Sequence, residues 1–129
     1  MIAVDTSALM AIALDEPEAD KVISVLQAER PLVISAVTVA EALVVGRGRG
    51  VGPEIQKLID RFDFQVQTID LVGARQAAGA YARWGKGVHP AGLNFVDCFA
   101  YALAEQQDCP LLFVGNDFAR TDIRSALAP

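Results

Sequence analysis

The sequence predicts an α/β fold: a small, open, mostly parallel sheet with helices on both faces. Short runs of branched apolar residues alternate along the chain with longer segments patterned at helical spacing. Strands separated by helices build βαβ units, whose crossovers place helices over the sheet. The strands are also too few to close into a (β/α) barrel.

IAV (residues 2–4) is the first strand, and the D-T-S that follows it opens a helix from about Thr6 to Leu14. Pro17, suited to a first helical turn because its missing N–H is not needed there, starts a second helix that ends near Glu29. LVI (32–34) is the next strand. A third helix begins after Ser35 and runs to the segment GRGRGVG, whose glycines read as a flexible loop. Further helices are expected at about 53–62, 71–84 and 94–107, strands at QVQTI (65–69) and LLFV (111–114), and a short helix after Asp117. Neither repeats nor linkers interrupt the pattern. A single domain over residues 1–129, with a core that needs no staples, is expected.

Composition narrows the function classes. The chain is 53% hydrophobic, with a mean hydropathy of +0.33, which suits either a large core or an apolar face kept for a partner. PLVISAVTVAEALVVG is the longest apolar stretch; it is too short to span a bilayer comfortably and carries Glu41. The N-terminus has neither a basic region nor a cleavage site of a signal peptide. Cys98 and Cys109 lack C-x-x-C spacing and are expected as buried free thiols in a reducing cytoplasm. His89, the only histidine, reads as a solvated residue of the loop GKGVHPAGL, and a zinc site has too few ligands. A net charge of −5 disfavours holding nucleic acid by bulk electrostatics, but not a protein that recruits cations to its own acids.

The placement of those acids is the informative feature. Asp5 ends the first strand, where it reads first as a helix cap, and Asp117 follows the last strand after Gly115 and Asn116. Glu41 is the only charged residue between Arg30 and Arg47, on an apolar helix with Val37 and Val44 on its side. Buried there, it needs a cation. Asp97 lies among Phe95, Val96, Cys98 and Phe99, with Asn94 as the expected N-cap. In a parallel α/β sheet, strand ends and the first turns of the following helices gather on one rim, where ligand sites form. Carboxylates crowded there resist ionising. Hard divalent cations such as Mg²⁺ or Mn²⁺, which take oxygen ligands and keep several waters, relieve the strain. That is the layout for metal-assisted phosphodiester hydrolysis.

The ordered set VDTSAL, Glu41, NFVDCFAYALAE and GNDFARTD resembles the PIN-domain ribonucleases, in particular the VapC toxins of bacterial toxin–antitoxin pairs. The resemblance spans essentially the whole chain. It implies a three-layer α/β/α sandwich around a parallel sheet of about four to five strands. It also implies an acidic quartet of Asp5, Glu41, Asp97 and Asp117 that binds Mg²⁺ or Mn²⁺ and cleaves RNA such as tRNA or ribosomal RNA. Thr6 matches a supporting hydroxyl and Asp122 a secondary acid. Homodimerisation and silencing by a VapB-like antitoxin are further implications. After TDI only RSALAP remains, which leaves little room for a fifth strand.

RNA also needs a cationic surface, for which Arg47, Arg49, Arg75, Arg83, Lys86, Arg120 and Arg124 are the candidates. Trp84, at a helix end beside Tyr81, is expected to pack on the core rather than stack on a base. Two rival readings remain open. An aspartyl-nucleophile phosphatase needs a second Asp two residues after the first, where Ser7 stands, and GRGRGVG follows a helix rather than a strand. A non-catalytic interaction module would keep the acids only as caps.

Overall fold

The computed structural model describes residues 1–127. Four short strands, β1 (Ile2–Val4), β2 (Leu32–Ser35), β3 (Phe64–Gln67) and β4 (Leu111–Leu112), form one parallel sheet in the order β3-β2-β1-β4. The helices are α1 (Thr6–Ala13), α2 (Ala19–Ala28), α3 (Ala36–Gly48), α4 (Gly52–Arg61), α5 (Leu71–Trp84) and α6 (Asp97–Gln106), with a 3₁₀ turn at Phe118–Arg120. Every residue of β1 and β2 is buried, as continuous apolar strands covered on both faces must be, whereas edge strand β3 is partly exposed.

Alternation along the strands divides the interior into two cores. Ala3, Val33 and Leu111 meet Ala77 and Ala80 of α5 and Tyr101 and Leu103 of α6 on one face. On the other, Ile2, Val4, Leu32 and Ile34 meet Leu9 of α1, Val22 and Leu26 of α2, and Ile55 and Leu58 of α4. Helices therefore cover both faces, giving the three layers expected. The run Asp97–Ala104 of α6 is buried throughout, which explains its nearly unbroken apolar sequence.

The structure departs from the sequence reading in several places, and it decides the fifth strand left in doubt there. GRGRGVG is no flexible loop: Arg47 lies in the last turn of α3, Arg49 caps it, and α4 begins at Gly52. Its glycines serve a tight helix–helix corner. Gly50 takes a positive φ of 76°, and a Cβ on Gly46 would lie 2.6 Å from Ile55 Cγ1, so only glycine lets α4 approach α3 this closely. Helix α6 is regular from Asp97 rather than from near residue 94: Val96 directly precedes it, and Asn94 holds the Asp97 N–H from across the two turn residues between them. Strand β4 is shorter than LLFV, and β3 runs one residue earlier and ends two sooner than QVQTI. Finally, the C-terminal segment reaches the sheet through a single parallel bridge, Leu111 to Ser125, where a fifth strand would stand. Leu111 N–H donates to Arg124 O and Ala126 N–H to Leu111 O, both at 2.9 Å. No helix among the described residues is long and apolar enough to cross a membrane.

Candidate active site

The rim at the carboxyl ends of β1, β2 and β4 is where the predicted acids arrive. Asp5 follows β1 and is fixed to β4 by its own N–H, which donates to Leu112 O at 3.0 Å. Its side chain is the N-cap of α1: Oδ2 accepts the Ser7 N–H at 3.0 Å and the Ser7 hydroxyl at 2.7 Å. Only 4% of Asp5 is exposed. Glu41 is carried in by α3, whose cap is the Ser35 hydroxyl at the end of β2. Thr6 Oγ1 donates to Glu41 Oε1 at 2.5 Å and also lies 3.4 Å from Thr38 O. The two consecutive hydroxyls after Asp5 thus serve two different acids.

Asp97 opens α6 in a reciprocal clasp. Its N–H donates to Asn94 Oδ1 at 2.8 Å, and its Oδ2 accepts the Asn94 N–H at 3.0 Å. That is the geometry of a capping box built from Asn and Asp. Asp97 is nevertheless only 8% exposed, at the head of a run that stays buried to Ala104. Asp117 is the exposed member, preceding the 3₁₀ turn after Gly115, whose φ of 102° lets the chain turn out of β4.

Two of the acids, Asp97 and Asp5, are raised by burial and by the charges of neighbouring acids. Burial pushes Asp97 up to about 7, the Asn94 N–H opposes this, and the charges of Asp5, Asp117 and Glu41 each raise it further. Asp5 is pushed up to about 6, again chiefly by burial and also by Glu41, against the two Ser7 hydrogen bonds that lower it. No cation offsets them: among the described residues neither ion pair, Arg83–Asp122 nor Arg124–Asp108, involves the quartet. Buried oxygen donors without a positive partner, the charge deficit a hard cation fills, fit Mg²⁺ or Mn²⁺. Thr38 Oγ1, one helical turn before Glu41, is buried without a hydrogen-bond partner and adds an oxygen to this polar interior. The carboxylates do stand apart: no three His, Cys, Asp or Glu groups among the described residues already form an ion-holding cluster.

A PIN-domain family profile matches residues 2–124. VapC ribonuclease Mb0640 of Mycobacterium bovis is 38% identical over 98% of each chain. The chain belongs to the PIN-domain family, among the VapC ribonucleases. Of solved structures, Mycobacterium tuberculosis VapC20, described as a sarcin-ricin loop cleaving toxin, superposes with a TM-score of 0.79 over the full length of both chains at 16% identity. A toxin–antitoxin complex from Klebsiella pneumoniae gives 0.68 at 18% identity, covering 95% of this chain and 93% of that one.

The other residues marked in this VapC-family chain are sorted by their contacts. Asp122 is turned away from the quartet's hydrogen bonds: its carboxylate takes the Tyr101 hydroxyl at 2.5 Å and Arg83 at 3.3 Å, which fastens the segment after Asp117 to α5 and α6. Arg83 is further occupied by the Trp84 face, 4.6 Å from the ring centroid. Arg120 donates to Pro90 O and Arg124 to Asp108 O. Arg47, Arg49, Arg75 and Lys86 remain exposed. His89 is not a solvated loop residue; its Nδ1 accepts the Ala91 N–H at 2.9 Å and its ring meets Trp84 edge-on at 4.7 Å. Trp84 packs against Tyr101 as expected, and both cysteines are free and buried. Sequence reasoning marked Asn94 only as a cap and did not mark Ser7 or Thr38 as parts of the site. The signal available for Ser7 was the doubled hydroxyl of D-T-S.

Proposed function

We propose that the chain is the endoribonuclease toxin of a VapBC-type pair, hydrolysing RNA phosphodiester bonds at a Mg²⁺ or Mn²⁺ site built from Asp5, Glu41, Asp97 and Asp117. The observation that carries this is the placement of Asp5 at the end of β1, Asp97 at the start of α6, Glu41 on α3 and Asp117 after β4, with Asp5 and Asp97 buried and, among the described residues, none of the four in an ion pair. Full-length similarity to VapC ribonucleases supports the same reading. When bound, the ion supplies Lewis-acid polarisation of the phosphoryl group and a more acidic water.

The chain's own residues do the rest. Asp5, Asp97 and Glu41 are held by Ser7, Asn94 and Thr6 respectively, so they are oriented before a ligand arrives. Asp117, exposed at the mouth, is the acid first met from solvent. Arg47, Arg49, Arg75 and Lys86, exposed and in no ion pair among the described residues, would meet phosphates, and Arg83 and Arg120 would first have to leave their present partners. A VapB-like antitoxin and a second copy of the chain are the proposed protein partners, and both suit a surface that exposes Val44, Leu71, Val72 and Phe95. A single domain acting in the cytoplasm fits all of this.

The test is RNA cleavage by purified protein with and without Mg²⁺ or Mn²⁺. Cleavage is expected only with the metal and is expected to vanish in Asp5→Ala while the fold survives. A fully active Asp5→Ala variant would falsify the mechanism. Complete absence of Mn²⁺ binding in a titration would instead favour the non-catalytic interaction module.

A further inference from the structure

Ser7 stands where three contacts converge. Its hydroxyl donates to Asp5 Oδ2 at 2.7 Å and its backbone N–H reaches the same oxygen at 3.0 Å. The same hydroxyl accepts the Val114 N–H at 3.0 Å, from a residue 107 positions along the chain. Val114 comes immediately before Gly115, Asn116 and Asp117. One small side chain therefore ties the acid that ends β1 to the backbone that leads from β4 to Asp117.

We propose that Ser7 is a positioning residue for the nuclease site: it fixes the Asp5 carboxylate through Oδ2 and holds the Asp117 loop in register with Asp5, so that both acids would be oriented for a divalent ion. This rests on the metal-site reading above. Thr6 cannot take over, because its hydroxyl is engaged by Glu41. Partners that orient a metal ligand commonly set affinity by about 10–100-fold, since a ligand free to rotate must be ordered by the ion itself.

The experiment measures Mn²⁺ affinity calorimetrically on the full chain, with amide hydrogen exchange at Val114 read on the same samples. Ser7→Ala is expected to weaken Mn²⁺ binding by about tenfold or more and to speed exchange at Val114. Ser7→Thr, which keeps the hydroxyl, is expected to restore both. Asp70→Ala is the control for simple loss of a cap, because Asp70 caps α5 through Gly73 N–H far from the quartet in the chain. It should leave Mn²⁺ affinity unchanged. Wild-type affinity in Ser7→Ala overturns the proposal, and so does an equal loss in Asp70→Ala. Failure of the wild-type chain to bind Mn²⁺ is a separate result, which overturns the metal site and this proposal together.

Discussion

Replacing Asp5 by Asn should make the metal-free protein more stable while destroying its activity. Burial holds the Asp5 carboxyl at about 6 in the folded chain, against 3.8 for the unperturbed group. A raised folded value means that the native state binds more protons than the unfolded state between those limits. Stability is then complete below the unfolded value and is lost as pH rises through the folded one. A shift of about two units corresponds to roughly 3 kcal/mol of penalty on the ionised folded form. The amide gives back part of that gain, because it accepts more weakly than a carboxylate from the two Ser7 donors. A net stabilisation of about 1–3 kcal/mol is expected near pH 8, or roughly 3–15 °C in Tm for a domain of this size.

The assay is thermal or urea unfolding of wild type and Asp5→Asn in EDTA, near pH 8 and near pH 5. The advantage of the variant should shrink at the lower pH, where the wild-type carboxyl is protonated. Mn²⁺ at a thousand times Kd should reverse the order, raising wild type by about 4.1 kcal/mol and leaving the variant unmoved. An Asp5→Asn protein no more stable than wild type near pH 8 in EDTA would refute the claim that this acid is held against its own desolvation.

Asp97, pushed up to about 7, should release a proton when a cation binds near neutral pH. Calorimetry in buffers of different ionisation enthalpy should show fractional proton release at about pH 7, rising as pH falls towards 6, with affinity falling over the same range. Asp122→Asn should leave Mn²⁺ affinity within about twofold of wild type, because this acid spends itself on Tyr101 and Arg83; loss of binding, as expected for Asp97→Asn, would return Asp122 to the site. Gly46→Ala should lower stability by about 1–3 kcal/mol, as overpacking against buried Ile55 outweighs the gain of about 1 kcal/mol in helix propensity. An unfolding midpoint at or above wild type would show that α4 yields freely.

Much of the rim was legible because it depends on chain order. Parallel topology sends every strand end and every following helix start to one edge, so Asp5, Asp117, Glu41 and Asp97 could be grouped before any coordinates existed. Helix α5 was legible to the residue at both ends, with Asp70 at its cap. Contacts between distant residues were not. Nothing local to Ser7 announces Val114, and nothing in T-D announces that Asp122 meets Tyr101. The glycines of GRGRGVG misled because glycine serves both loops and close helix packing, and only Ile55 against Gly46 decides which. The histidine misled for a similar reason: Trp84 lies close in sequence, but its ring orientation is a tertiary fact.

The cap and ligand readings of Asp5 are not rivals, because one produces the other. An N-cap carboxylate turns an oxygen towards the first-turn N–H groups, here Oδ2 towards Ser7, and so fixes its χ angles with no partner from elsewhere in the chain. Asp97 does the same with Asn94. In both, the helix start is a local device that orients an acid which the sheet has carried to the rim. The roughly 3 kcal/mol penalty on the ionised Asp5 is what remains after the Ser7 cap hydrogen bonds have already acted to lower its pKa. Capping alone therefore does not justify burying that charge, and an ion that neutralises the rim would remove the deficit.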